Sequence, residues 1–279
     1  MSAVQGPTLG RRRLRARLRA ARIAAGLTQE QVASAMEWSP SKMIRIEAGT
    51  VSISTTDVLA LVRLYDVTDE RRVDELVALA RRSRLRHWWS SLRATLPPSY
   101  AAYIGLEAET SSILYFHPTG LPNLFQTESY ATAGATRTGE GGQPAVRLGR
   151  QREVLGRPDP PQVVAVLDEA VLRRIADGPH DLRDQLHHLL SLSREPHITI
   201  HVLPFTTGVN HHHGPFAILQ FAEAHAADVM YVESAAAEDV VDRPGVVDAY
   251  RGEFERLCGL ALSPGETSAL LDRMAGEPD

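Results

Sequence analysis

The sequence predicts a multi-domain protein: an all-α head of five helices is followed by an α+β domain with a mixed sheet of about four or five strands. Apolar residues recur at helical spacing between residues 9 and 82, whereas runs typical of buried strands occur only after residue 100. Pro97 and Pro98 mark the change, within a segment 83–99 that we interpret as a linker. The net charge also changes sign between the two parts of the chain. Residues 1–96 carry 17 Lys and Arg against 9 Asp and Glu, a net of +8, and residues 97–279 carry 13 against 25, a net of −12.

The composition of the chain is typical of a globular protein and argues against several other classes. The chain has 279 residues, of which 43% are apolar and 23% charged, which is typical of globular proteins. There is no run of 18 apolar residues and no apolar core of a signal peptide, so the sequence predicts neither a membrane span nor secretion. The single cysteine, Cys258, excludes an internal disulfide framework and a cysteine-based zinc site. These features predict a cytoplasmic protein in which Cys258 is a small core residue.

The first predicted helix covers residues 11–25, after a loose tail at residues 1–9. Four apolar residues recur at helical spacing and should face the core, namely Leu14, Leu18, Ala21 and Ala25. Seven arginines, at positions 11, 12, 13, 15, 17, 19 and 22, occupy the other faces. Such a surface can be simply solvated, but it also suits a polyanion, and Arg15 and Arg19 are candidates for contacts to phosphate.

Two short helices joined by a turn of about three residues follow. Thr28 is suited to cap the first helix and Ser39 the second, in which Pro40 takes the first position because its missing N–H costs nothing there. Gly49 ends the second helix. The residues expected to face the core are Val32, Ala33, Met36, Met43 and Ile46. This spacing predicts a helix-turn-helix, although an ordinary helical hairpin with a few charges has the same pattern.

The turn between these two helices contains an unusual residue. Such a turn generally takes Gly or Asn, because its backbone adopts a positive φ, and here the candidate is Glu37. We expect a cost of about 1 kcal/mol or more if Glu37 takes this conformation.

In a DNA-binding helix-turn-helix, the second helix presents its N-terminal residues to base edges in the major groove. Here Arg45 can bind guanine through two hydrogen bonds, Lys42 can contact phosphate or guanine, and Ser41 can bond to either groove edges or phosphate. The predicted partner is therefore double-stranded DNA. The candidate DNA-binding residues are Thr28, Gln29, Ser39, Pro40, Ser41, Lys42, Ile44 and Arg45, with Arg15 and Arg19 from the preceding helix.

These residues also carry a resemblance to a known family. Residues 26–33, Gly-Leu-Thr-Gln-Glu-Gln-Val-Ala, and residues 38–49, from Trp-Ser-Pro-Ser-Lys to Arg-Ile-Glu-Ala-Gly, resemble Cro/lambda-repressor-like regulators of the xenobiotic-response-element (XRE) class. The resemblance spans roughly residues 9–79. It implies that Gln29 contacts phosphate and that Pro40, Ser41, Ile44 and Arg45 face the bases.

Two more helices complete the head, at residues 56–65, after a loop at 51–55, and at residues 69–82. The linker that follows contains the adjacent tryptophans Trp88 and Trp89 on a basic segment. They could stack on nucleic-acid bases, but we favour burial against the second domain or a dimer partner, because duplex recognition needs no stacking platform. We expect the linker to be ordered at least through Trp89.

Beyond the prolines the pattern becomes mixed. Strands are predicted at residues 111–116, 162–167, 197–203, 216–221 and 229–232. Helices are predicted at residues 103–109, 127–130, 144–155, 168–176, 181–192, 244–260 and 263–274, where Ser263 and Glu266 form a capping box. Residues 139–142 form a glycine-rich loop without the spacing of a phosphate-binding loop.

The sequence offers little support for a metal site or for catalysis. His211, His212 and His213 are adjacent and lack a set of spaced carboxylates, so a polar loop tip is favoured over a metal site. Asp168 and Glu169 are better explained by helix capping than by paired-carboxylate catalysis. No nucleophile elbow, cysteine nucleophile or dinucleotide fingerprint occurs. We therefore predict no catalytic residues, no cofactor and no enzymatic activity.

The second half of the chain carries a further resemblance, covering about residues 103–274. Residues 121–130 (Leu-Pro-Asn-Leu-Phe-Gln-Thr-Glu-Ser-Tyr), 168–174 (Asp-Glu-Ala-Val-Leu-Arg-Arg) and 202–205 (Val-Leu-Pro-Phe) resemble the C-terminal domain of WhiJ-type actinobacterial regulators. Asn123 and Phe125 depart from the usual pattern of that family. The resemblance implies an antitoxin-like repressor and a small acidic or mixed-charge partner protein encoded nearby.

Taken together, the patterns predict a sequence-specific DNA-binding transcriptional regulator whose acidic C-terminal domain, at residues 100–276, binds a small partner protein or an effector. Because one small head has a limited interface, we expect a homodimer on a roughly palindromic site. The competing interpretation is a protein-interaction module with a vestigial DNA-binding head.

Overall fold

The fold is that of a computed structural model, which describes residues 7–49, 51–84, 96–138, 144–176, 183–207, 214–222, 226–233 and 238–276. The chain divides into two units, Met1–Ser90 and Ser91–Asp279. Three predictions concern segments outside the described residues: the tryptophans at 88 and 89, the glycine-rich loop at 139–142 and the histidines at 211–213. No helix in the described part of the chain is long and apolar enough to cross a membrane.

The head contains the five predicted helices. They are α1 (Pro7–Ala24), α2 (Gln29–Ala35), α3 (Pro40–Ala48), α4 (Thr55–Leu64) and α5 (Glu70–Arg82). Side chains cap the N-termini as predicted: Thr28 Oγ1 accepts from the Gln31 amide, and Ser39 Oγ accepts from the Lys42 amide. The Gln31 side chain also accepts from the Thr28 amide and so completes a capping box. The glycine stop is confirmed by Gly49, with φ 76°.

The core of the head lies where α1 packs against α3, α4 and α5. Leu14, Leu18 and Ala21 are buried as predicted, but Ala25 is exposed because α1 ends at Ala24. The predicted tail is also too long, since Leu9 lies in α1 and is buried. The remaining buried residues include Val32, Ala33, Met43, Ile46, Val58, Leu61, Leu76 and Leu79.

Glu37 adopts the predicted positive φ, at 54°. Two hydrogen bonds close the end of α2 around it: the Glu37 amide donates to the Ser34 carbonyl, and the Trp38 amide donates to the Ala33 carbonyl at 2.8 Å. This is a Schellman motif, in which the left-handed residue satisfies carbonyls that the helix end leaves open. The motif explains why the strained residue is tolerated.

The second unit is built around a six-stranded mixed sheet. Its strands are β1 (Ser112–His117), β2 (Gln162–Asp168), β3 (Ile198–Leu203), β4 (Phe216–Gln220), β5 (Val229–Glu233) and β6 (Glu238–Val241), in the order β3-β2-β1-β4-β5-β6. Strands β1, β2 and β3 are parallel, and β4, β5 and β6 continue the sheet antiparallel. The α+β class with a mixed sheet is therefore confirmed, and β6 adds a strand that its charged residues concealed in the sequence.

Within the described residues, seven helices of the second unit accompany this sheet. They are α6 (Pro98–Glu107), α7 (Glu128–Thr138), α8 (Pro144–Val154), α9 (Glu169–Ala176), α10 (Asp184–Leu192), α11 (Pro244–Leu260) and α12 (Pro264–Gly276). α6 starts earlier than predicted because Pro98 suits a first helical turn, and α7 continues well beyond Tyr130. The capping box of α12 is confirmed, since Glu266 Oε2 accepts from the Ser263 amide at 2.8 Å.

The two faces of the sheet are buried in different ways. On one face, Phe116, Val166 and Phe216 pack with Phe254 and Leu257 of α11 in an apolar cluster. Cys258, predicted to be a core residue, is only partly buried and lies at the edge of this cluster, where burial raises the pKa of its thiol to about 11. Alternate residues of β1 point to the other face, where a polar cluster lies beneath α6 and α8.

Candidate nucleic-acid interface and a buried polar cluster

Helix α3 separates an apolar face from an exposed polar face. Met43 and Ile46 are 1% and 6% exposed and face the core, as predicted. Ser39, Pro40, Ser41 and Arg45 are exposed, and Ile44 is 52% exposed although it is a large aliphatic residue. The Arg45 Nε donates to the Ser41 carbonyl one turn earlier, at 3.3 Å. The side chains predicted to meet DNA bases therefore share one exposed surface.

Lys42 is placed differently from its neighbours on α3. Its Nζ lies 3.8 Å from the centroid of the Trp38 ring and 4.0 Å from Asp57 Oδ2, and its side chain is only partly exposed. The ammonium is therefore attracted both to an aromatic face and to a carboxylate of α4. A contact of Lys42 with phosphate or guanine requires the ammonium to leave these partners.

An ion pair between Arg22 of α1 and Glu47 of α3 ties the helices of the head together. Arg22 Nε donates to Glu47 Oε1 at 2.6 Å, and Arg22 Nη2 donates to Oε2 at 3.0 Å. Arg22 Nη1 also donates to the Leu27 carbonyl at 2.7 Å, just before α2. Burial raises the pKa of the Glu47 carboxyl, but hydrogen bonds from Arg22 and Gln29 outweigh it and hold the pKa below its ordinary value.

Gln29 belongs to the same network. Its Nε2 donates to Glu47 Oε2 at 2.6 Å. A side-chain amide has two N–H groups, so Gln29 keeps one more donor, while Glu47 fixes the direction of the amide. Thr28, which caps the same helix end, is exposed. The predicted phosphate contact of Gln29 thus remains chemically available, with Glu47 as the residue that positions it.

The arginines of α1 make different contacts. Arg15 Nη1 donates to the Ala48 carbonyl at 2.7 Å, and a Cβ on Gly49 would lie only 2.6 Å from that nitrogen. Arg15 therefore helps to close the C-terminus of α3, a role that the sequence did not indicate. Arg17 pairs with Glu75 of α5. Arg19 has an exposed side chain, as a phosphate contact requires.

A buried polar cluster in the second unit was not predicted. We use the name Glu107–Arg150 cluster for Tyr100, Tyr103, Glu107, Tyr115 and Arg150. Arg150 Nε and Nη2 donate to the two Glu107 oxygens, each at 2.7 Å, and both side chains are almost fully buried. Glu107 Oε1 also accepts from the hydroxyls of Tyr103 and Tyr115, each at 2.8 Å. Burial and the nearby carboxylate raise the pKa of both tyrosines, so they stay protonated.

Other polar residues of the second unit have structural partners. Asp168 Oδ1 accepts from the Ala170 amide at 2.8 Å, which confirms its capping role. His201 Nδ1 lies 2.9 Å from the Leu262 carbonyl. In the described residues, no group of three or more His, Cys, Asp and Glu side chains is arranged to hold a metal ion.

Comparison with known families assigns both parts of the chain. A family model described as a helix-turn-helix domain matches residues 13–76, and one described as a domain of unknown function, DUF5753, matches residues 100–273. No curated protein and no solved structure is significantly similar to the chain. The first match confirms the helix-turn-helix prediction, and the second covers more than half of the chain.

Proposed function

We propose that this chain, which belongs to the DUF5753 family and carries a helix-turn-helix domain, is a sequence-specific transcriptional regulator that binds double-stranded DNA through its head. The observation that carries the proposal is the exposed face of α3. Ser41, Ile44 and Arg45 lie together on a helix whose opposite face is buried and whose start is capped by Ser39. A rigid helix with exposed side chains of this kind suits the major groove.

Each exposed side chain suggests a contact. The Arg45 guanidinium matches the O6 and N7 acceptors of guanine, and the Ile44 side chain can pack against a thymine methyl group. Ser39, Pro40 and Ser41, at the start of α3, are placed to approach the groove edge. Gln29, Arg19 and the exposed Thr28 are proposed to contact phosphates, which orient the head on the duplex.

The charge distribution supports a division of roles between the two units. Residues 1–96 carry a net of +8, which suits a polyanion, whereas residues 97–279 carry a net of −12 and would be repelled by DNA. We therefore propose that the second unit binds a small partner protein or an effector. The resemblance to XRE-class and WhiJ-type regulators supports an antitoxin-like repressor of this kind. A homodimer would place two heads on half-sites about 34 Å apart.

Selection of random genomic fragments by the full-length protein, followed by sequencing, tests the proposal. We expect one motif with roughly palindromic half-sites. Arg45→Ala should change the motif at one base pair, whereas Arg63→Ala, which removes an exposed arginine of α4, should leave it unchanged. If no motif is enriched, the head is not a sequence-specific DNA-binding module. That outcome would favour a protein-interaction module with a vestigial head.

The partner is tested by repeating the selection with the small protein encoded nearby added to the mixture. We expect it to change the recovery of the motif and to bind the full-length chain directly. Recovery that does not change, together with no binding, would contradict the role of the second unit in binding a partner protein.

A further inference from the structure

Within the described residues, the Glu107–Arg150 cluster contains one hydroxyl, that of Tyr100, that accepts hydrogen bonds but has no acceptor of its own. Arg150 Nη1 donates to the Tyr100 hydroxyl at 2.7 Å, and Asn123 Nδ2 donates to the same oxygen at 3.3 Å. A hydroxyl oxygen has two lone pairs, and these two donors occupy both. The hydroxyl hydrogen of Tyr100 is therefore used by neither of these two contacts.

A second donor lies on the neighbouring helix. Arg147 precedes Arg150 by three positions in α8, so the two side chains share one side of that helix. The Arg147 Nε is buried, and no hydrogen-bond partner for it lies among the described residues. A buried N–H without an acceptor is unfavourable because it has lost its hydrogen bonds to water, which makes its retention informative.

The two arginines differ in how their charge is balanced. Arg150 forms two hydrogen bonds with the buried Glu107 carboxylate, which raises its pKa well above the ordinary value even though burial lowers it. Among the described residues, Arg147 forms no such pair with a carboxylate. Burial lowers its pKa, and the nearby Arg150 lowers it further, against the opposing influence of Tyr100 and of the exposed Glu128. A guanidinium in such surroundings is stabilised by an added anion.

We propose that Arg147 and Tyr100 bind the oxyanion of a small ligand that carries a carboxylate or phosphate group. The guanidinium supplies a planar set of N–H donors, the Tyr100 hydroxyl supplies another, and both match the acceptor oxygens of such a group. This proposal rests on the proposed function, because the ligand would be the effector of the regulator. It specifies the chemistry of that effector as a small anion.

The surrounding side chains hold the Tyr100 donor in place. The Tyr103 ring stacks on Tyr231 of β5, with centroids 4.0 Å apart and an angle of 11° between the planes. The Arg150 guanidinium carbon lies 5.5 Å from the Tyr100 centroid and 5.2 Å from the Tyr103 centroid. Tyr100 is thus restrained by a cluster that is itself anchored to the sheet, so that little ordering remains for a ligand to induce.

Titration of the full-length protein with inorganic phosphate in one arm and succinate in the other tests the proposal, with ionic strength held constant with chloride. We expect saturable binding of at least one anion by calorimetry. Arg147→Gln should weaken that binding by about tenfold or more, since it removes a charged hydrogen-bond donor. The matched control is Arg152→Gln, which removes an exposed arginine of the same helix and should leave binding unchanged. The arm that saturates identifies the group as phosphate or carboxylate.

The outcomes separate this proposal from the function of the head. Phosphate could also bind the basic head, but that binding would persist in Arg147→Gln and would overturn the proposal, as would saturation by neither anion. If Arg147→Gln does not fold, Tyr100→Phe provides the test, because it keeps the ring and deletes the donor; unchanged binding in that variant would overturn the proposal. DNA binding measured on the same wild-type sample is independent of these results. Its absence alongside saturable anion binding would refute only the function of the head.

Discussion

Both units of the chain bury an ion pair between arginine and glutamate, but the surroundings of the two pairs differ. In the head, Arg22 and Glu47 are 12% and 6% exposed, and they join α1, α3 and the start of α2 through Gln29 and the Leu27 carbonyl. In the second unit, Arg150 and Glu107 are 2% and 0% exposed, and tyrosine hydroxyls complete their bonding. The first pair therefore lies close to the surface of the head, whereas the second lies in the interior of its unit.

This difference indicates what each pair contributes. Buried ion pairs add little net stability over well-packed apolar residues, because desolvation offsets the attraction. The head pair is better understood as a brace that fixes α3 relative to α1 and orients the Gln29 amide. The pair in the second unit is surrounded by aromatic rings, and its Arg150 also donates to the Tyr100 hydroxyl at 2.7 Å.

The largest expected effect is a difference in how much stability is lost when the glutamate of each ion pair is replaced. Glu107→Gln leaves the Arg150 charge buried without a carboxylate and should destabilise the second unit by about 3–5 kcal/mol. Glu47→Gln should destabilise the head by about 1–3 kcal/mol, because Arg22 lies nearer to water. Urea unfolding of the full chain, with hydrogen exchange to assign each transition, measures both values. Glu153→Gln, on the exposed side of α8, is the control and should change stability by less than about 0.5 kcal/mol. Equal losses at Glu107 and Glu47 would refute the comparison.

Salt dependence tests the contrast in charge between the units. If about six phosphates are neutralised per head, the logarithm of the DNA association constant should fall with the logarithm of salt concentration with a slope of about −5 per head. A fourfold rise in salt would then weaken binding by about 1,000-fold. Binding of the full chain to a labelled duplex at several chloride concentrations measures the slope. An affinity independent of salt would mean that the basic face of the head does not meet the DNA backbone.

A pair of arginine variants distinguishes base contacts from phosphate contacts within the head. Arg45→Ala should cost about 1–3 kcal/mol on the selected site and relax the preference at one base pair. Arg19→Ala should weaken binding to the selected and scrambled duplexes about equally, because a phosphate contact does not depend on sequence. Competition binding with both duplexes measures the difference. If the two variants behave alike on the scrambled duplex, the assignment of Arg45 to a base is wrong.

The features predicted from sequence are those set by neighbours along the chain. The caps at Thr28 and Ser39 and the stop at Gly49 each depend on residues within one helical turn, so local spacing is sufficient to identify them. The separation of an exposed face of α3, which we propose binds DNA, from its buried face followed from the same periodicity. The strand β6 was not predicted, because its Glu-Asp-Val-Val sequence has little strand character and is stabilised by pairing with β5.

The two ion pairs could not be predicted from local sequence patterns. Arg22 and Glu47 are separated by 25 residues, and Glu107 and Arg150 by 43. Each arginine has several neighbours of the same type on its own helix, and only tertiary packing determines which one turns inward. The same reason explains why Arg15, predicted to contact phosphate, is found at the end of α3.

The units also differ in where backbone strain occurs. Among the described residues, the non-glycine residues with positive φ are Glu37 and Asp66, and both lie in the head. Gly26 adopts the same conformation after α1, with φ 69°, so the head contains the same kind of helix end with and without glycine. We therefore expect Glu37→Gly to stabilise the head by about 0.5–1 kcal/mol, since glycine adopts positive φ without a steric penalty.

Amide hydrogen exchange over α2 and α3 in the full chain measures this last and smallest effect. Glu30→Gly is the matched control: it makes the same chemical change inside α2, where glycine lacks a conformational advantage, and should slightly destabilise the head. The expected net gain in stability at Glu37 is small. Glycine relieves backbone strain in the folded state, but it also increases the conformational entropy of the unfolded chain, which opposes that gain. Protection that falls in Glu37→Gly as it does in Glu30→Gly would mean that contacts of the Glu37 side chain outweigh the strain of its backbone. The turn would then owe its stability to that side chain as well as to the Schellman hydrogen bonds.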